Sequence, residues 1–134
     1  MLFRSMLGSV ISYALVGAEV EAYARQAKVA VERSRCLRNA LWLHGRRDRN
    51  SADFFMIYEY AEMDFAGRKA IVSELGVADR DIGRLKNSAN NLAPTEGGRH
   101  ATETGTTEWS LDDQREFVAK FLKRWIACRS RAAA

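Results

Sequence analysis

Phe117, Val118, Phe121, Leu122, Trp125 and Ile126 recur at three- and four-residue steps near the end of the chain, with no glycine or proline among them. Side chains at that spacing line one face of an α-helix, whereas a strand would scatter them over both faces of a sheet. A helix this apolar on one side is stable only against other apolar faces, so the rest of the chain must supply them. Two further stripes do so. Tyr23, Ala27, Ala30, Ser34, Leu37 and Leu41 follow the same period, and their small members allow a neighbouring helix to come close. Phe54, Ile57, Tyr58, Ala61 and Phe65 form the third.

Helix ends are marked as clearly as helix faces. Gly45 follows the second stripe and suits a C-terminal cap. Asn50 or Ser51 opens the next helix, with Asp53 in a capping-box position, and Gly67 closes it. A short helix then runs to Gly76, and Asp79 caps its successor. Ser110, with Asp113 three residues on, opens the last. No segment alternates apolar and polar residues over strand length, and the single proline, Pro94, falls outside every stripe. The pattern predicts an all-α fold, a single compact bundle of about five helices spanning residues 1–134. The helices are expected at 19–44, 51–65, 68–75, 80–89 and 111–129, with one long polar loop at 90–109. With 134 residues, 47% of them apolar, the chain can bury a substantial core. It should include Leu37, Leu41, Phe54, Ile57, Tyr58, Leu75, Ile82, Leu85, Phe121, Leu122 and Trp125.

The net charge of +4 is unevenly placed. Seven cations (Lys28, Arg33, Arg35, Arg38, Arg46, Arg47, Arg49) face two acids between residues 28 and 49. Five more, with no acid, follow Phe117, while Glu59, Glu62 and Asp64 lie between the two runs. Such segregation favours a polyanionic partner, although charge runs are commonly just solvated helix faces. Cys36 and Cys128 are too few and too far apart for a disulfide scaffold or a zinc site, and read as buried free thiols of a cytoplasmic protein. No metal or cofactor is expected. The apolar segment at 1–18 (Met6 to Ala18 above all) reads either as a buried first helix or as a short signal-peptide core, and is too short for a membrane span.

Three constellations could carry chemistry. Residues 68–86 (RKAIVSELGVADRDIGRLK) resemble a helix-turn-helix DNA-binding unit. Ile71 and Leu75 would pack the first helix, Gly76 would form the turn, and Val77, Ile82 and Leu85 would seat the second. The resemblance implies a rigidly held second helix whose start enters the major groove. Val72 departs from the pattern, which carries a very small residue there, and Asp79 and Asp81 would face phosphates unless they read cytosine.

Arg38-Asn-Ala-Leu-Trp-Leu-His44 resembles the arginine–histidine motif of the all-helical HEPN-domain ribonucleases. The resemblance implies metal-independent RNA cleavage, with Arg38 holding a phosphate and His44 acting as acid or base near neutrality. Six residues rotate by about 240° on a helix, so the pair needs an early helix end or a second copy of the chain, a homodimer, to converge. Finally, Gly97, Gly98, Arg99 and His100 could cradle an anion with exposed backbone amides. Together with Ser88-Ala89-Asn90 and Ala101, they resemble an SAN…GGRHA signature of small uncharacterised bacterial helical proteins, which brings no activity with it.

The leading expectation is a helical nucleic-acid-binding protein of accessory or regulatory type. Arg80, Arg84 and Lys86 would touch nucleic acid, and Arg46, Arg47 and Arg49 would add phosphate contacts. The alternatives are the HEPN-like ribonuclease and a non-catalytic module that docks another protein through an apolar helix face. No membrane partner is expected.

Overall fold

The computed structural model describes residues 19–46, 48–91 and 109–131. Among them stand six helices and no strand: α1 (Glu19–Arg33), α2 (Arg35–His44), α3 (Ser51–Phe65), α4 (Arg68–Leu75), α5 (Asp79–Asn91) and α6 (Leu111–Arg131). The all-α bundle is as expected. The apolar segment at 1–18 and most of the loop at 90–109 lie outside the described residues.

The last two helices run one or two residues past their expected ends, and one expected helix is divided. The helix expected over 19–44 is broken at Ser34, whose backbone is extended (φ −134°, ψ 108°). The buried Ser34 hydroxyl accepts from the Leu37 amide at 3.0 Å and so caps α2. Its own amide still donates to Ala30 O, and its carbonyl still accepts from the Arg38 amide. The break therefore leaves no backbone group of Ser34 unpaired, and the serine offers the chain an alternative to continuous helix. Its consequence is a change of direction: α1 packs along α6, and α2 packs against α3.

Helix α3 is the hub, touching α2, α4, α5 and α6. That explains why Phe55 is buried along with the expected Phe54, Ile57, Tyr58, Ala61 and Phe65. Every expected core residue is buried. Along α6, Phe117, Phe121 and Trp125 meet at four-residue intervals in tilted and edge-to-face pairs with ring centroids 5.9 and 6.2 Å apart, and Tyr58 and Phe65 join them from α3 at 6.1 Å each. Such pairs add about 0.5–1.5 kcal/mol each beyond area burial. Ala27, Ala30 and Ala119 are wholly buried, which brings helix backbones close together.

Polar contacts fix the ends. Asp64 accepts from Trp125 Nε1 and from Arg129 Nε, both at 2.7 Å, and the Arg129 guanidinium lies 4.1 Å from the Phe65 ring centre. Arg33 donates to the carbonyls of Arg129 and Ser130 and caps the end of α6. Asn50 and Asp53 form the expected capping box at α3, and Ser110 and Asp113 the one at α6. At the other end of α3 it is Ala66, not Gly67, that takes the left-handed conformation (φ 60°). Gly67 follows at φ 120° and ψ 169°, a region only glycine enters freely.

Candidate nucleic-acid interface

The eight residues of α4 and the start of α5 are joined by only Gly76, Val77 and Ala78. So short a link between helices requires a sharp reversal, and Gly76 provides it in the left-handed region (φ 66°, ψ 27°). Its amide donates to Val72 O. Ile71, Leu75, Val77, Ile82 and Leu85 are all buried, so the residues expected to seat the two helices do so.

Two arginines fix the turn from outside. Arg124 of α6 donates from Nη1 to Gly76 O at 2.6 Å and to Leu75 O at 3.2 Å, satisfying carbonyls left open at the end of α4. Arg68, at the start of α4, donates from Nε to Asp79 Oδ1 at 2.7 Å and from Nη2 to Asp79 O at 2.9 Å. Asp79 is thus not the cap expected from its position but the first residue of α5, and Ala78 O instead receives the first amides of that helix. The Arg68 fork also neutralises one of the two acids at the start of α5.

On α5, Arg80 and Lys86 are exposed and form no ion pair among the described residues. Arg84 is half-buried, with its guanidinium 6.0 Å from the centre of the Trp109 ring. Trp109 in turn stacks on Phe117 at 5.1 Å. Arg80 and Arg84 stand one turn apart on the same face, whereas Lys86, six residues after Arg80, lies about 240° around the helix. Beside them a groove of about 270 Å³ runs between the turn and α6, lined by Val77, Ala78, Asp81, Phe117, Lys120 and Arg124 among others.

The second basic region divides. Arg46 is exposed, 3.8 Å from Asp53, and its guanidinium lies 5.6 Å from the centre of the exposed Trp42 ring. Arg49 is half-buried: it donates to the His44 carbonyl and lies 5.9 Å from the Phe54 ring centre, so its charge serves the end of α2. Arg47 lies outside the described residues, as do Gly97, Gly98, Arg99 and His100.

The structure does not bring Arg38 and His44 to a common surface. Arg38 is exposed, while His44 is fully buried. Burial first, and then the positive charges of Arg49 and Arg115, lower the imidazole pKa to about 3. A neutral imidazole closed off from water neither titrates near neutrality nor reaches a substrate, contrary to the acid–base role expected of it. Nearby, the buried Ser51 hydroxyl donates to Gln114 Oε1 at 2.5 Å, and Gln114 Nε2 donates to Trp109 O, so this corner is a structural polar cluster. Cys36 and Cys128 are free and half-buried rather than buried, and burial, followed by Asp64, raises the Cys36 thiol pKa. Among the described residues no group of three or more His, Cys, Asp or Glu could hold a metal ion.

Sequence reasoning missed Arg68, Arg124, Trp109 and Trp42. The only local signal for Arg68 is an acid eleven residues on. The one for Trp42 is its place between Arg38 and Arg46 at four-residue steps. No family model matches this chain, and comparison with curated proteins and with solved structures returns no match.

Proposed function

We propose that this chain binds nucleic acid through the α4–α5 unit, presenting α5 to a duplex groove as the second helix of a helix-turn-helix. The observation that carries the reading is the construction of that unit. A three-residue turn with a left-handed glycine, five buried seating residues and two arginine clamps hold α5 rigidly, while Arg80 and Arg84 stand on one of its faces. Rigidity matters because a recognition helix must be positioned before its side chains can select a base edge. With Asp79 tied to Arg68, the start of α5 carries less negative charge toward phosphates than its sequence implies. Asp81 remains as an acceptor suited to a cytosine amino group.

Binding of a labelled duplex should weaken linearly on a log–log plot of affinity against salt. The Arg80→Ala/Arg84→Ala double variant should reduce that slope by about 0.9 for each phosphate that the arginines neutralise. Absence of salt-sensitive binding by the wild-type chain would overturn the proposal.

A further inference from the structure

The solvent face of α2, continued by Arg46 just past its end, presents four exposed side chains. Between residues 35 and 46 the exposed positions are Arg35, Arg38, Trp42 and Arg46, and no others. They follow one another by three, four and four residues, which is a single stripe on a helix. Trp42 is 48% exposed and is the only exposed aromatic among the described residues. α2 contains no acid. Arg35 and Arg38 form no ion pair among the described residues, and Arg46 meets Asp53 only at 3.8 Å.

We propose that this stripe is a second nucleic-acid site, in which an unpaired base stacks on Trp42 while Arg38 and Arg46 hold the phosphates on either side. Stacking needs an accessible ring, and Trp42 is 48% exposed, with the Arg46 guanidinium, itself a plane on which bases stack, over the ring at 5.6 Å from its centre. A duplex cannot use such a site, because its base faces are covered by their neighbours. Three cations spaced along the same stripe as that ring match a phosphodiester chain. A membrane surface would call for a broader apolar face than one tryptophan offers. The site is separate from α5 and does not depend on the reading of that helix.

The test compares an oligothymidylate, an oligouridylate and an abasic oligomer of equal charge, each about ten residues long. The wild type should bind both base-bearing strands about ten-fold more tightly than the abasic one, and the ratio of the two shows whether the sugar is read. Trp42→Ala should abolish that advantage while the protein stays folded, with only a small drop in melting temperature because about half of the side chain is exposed, and Trp42→Phe should keep most of it. Arg38→Ala should lower the single-strand salt slope by about 0.7. Equal binding of the abasic oligomer, or full displacement of the strands by polyglutamate with Trp42→Ala unaffected, would overturn the proposal. The latter result would indicate a protein partner. Single-strand binding that needs Trp42, alongside duplex binding indifferent to Arg80 and Arg84, would uphold this site and reject the α5 interface. The opposite pattern would do the reverse.

Discussion

Lowering the pH from about 7.5 to about 5 should remove a defined share of this protein's stability through His44. The imidazole is fully buried and its pKa is lowered to about 3, whereas in the unfolded chain it sits near 6.5. A base whose folded pKa is depressed is protonated first in the unfolded state. Above about pH 6.5 both states are neutral and His44 contributes no pH dependence. Below it the unfolded state gains about 1.4 kcal/mol per pH unit, and this continues until the folded pKa is reached near pH 3. At pH 5 the loss is about 2 kcal/mol, a large part of a small domain's stability. Carboxylates titrate in the same range, so the informative quantity is the difference between the wild type and His44→Gln. Urea unfolding followed by circular dichroism, run for both chains from neutral pH down to about 5, gives it. The wild type should lose about 2 kcal/mol more than the variant over that interval. Equal losses would mean that His44 is protonated in the native state. The buried, electropositive setting assigned to it would then be wrong, and an acid–base role for it would reopen.

Other consequences follow from the packing. Phe121→Ala removes a buried ring in contact with Phe117, Tyr58 and Trp125, and should cost about 3–5 kcal/mol in chemical denaturation. Asp64→Ala strips Trp125 Nε1 and Arg129 Nε of their acceptor and should cost about 2–3 kcal/mol, somewhat less than for a fully buried pair. At the α3–α4 junction two substitutions should act in opposite directions. Ala66→Gly relieves a left-handed alanine and should raise stability by up to about 1 kcal/mol. Gly67→Ala meets no atom within 4 Å yet must adopt φ 120°, and should cost about 1–3 kcal/mol, both changes being read from the urea midpoint.

Most of the fold was legible because this chain states its helix ends locally. The Asn50–Asp53 box, the Gly76 stop and the Ser110–Asp113 box each use neighbours within a few residues, and α3 and α4 begin and end where those signals put them. The break at Ser34 was not legible, since the apolar stripe runs through it. Whether a mid-stripe serine caps a new helix depends on α1 and α2 finding different partners, α6 and α3. Ala66 was missed for a similar reason: glycine next door was the less strained residue for a left-handed turn, and tertiary packing placed that turn one residue earlier. The site was half legible. The seating residues of α4 and α5 follow from periodicity. The clamps do not, because Arg124 lies 48 residues from the carbonyl it holds. The fate of His44 also lay beyond local pattern, since its burial and the charge of Arg115 depend on tertiary packing, Arg115 being a residue of α6.

Chemical-shift mapping of the labelled protein with a duplex of mixed sequence tests the central claim most directly. The largest amide shifts are expected at residues 79–86, with Arg80 and Arg84 foremost, little change along α1, and loss of the shifts as salt rises from about 50 to about 200 mM. Shifts absent throughout, or confined to surfaces away from α5, would contradict it.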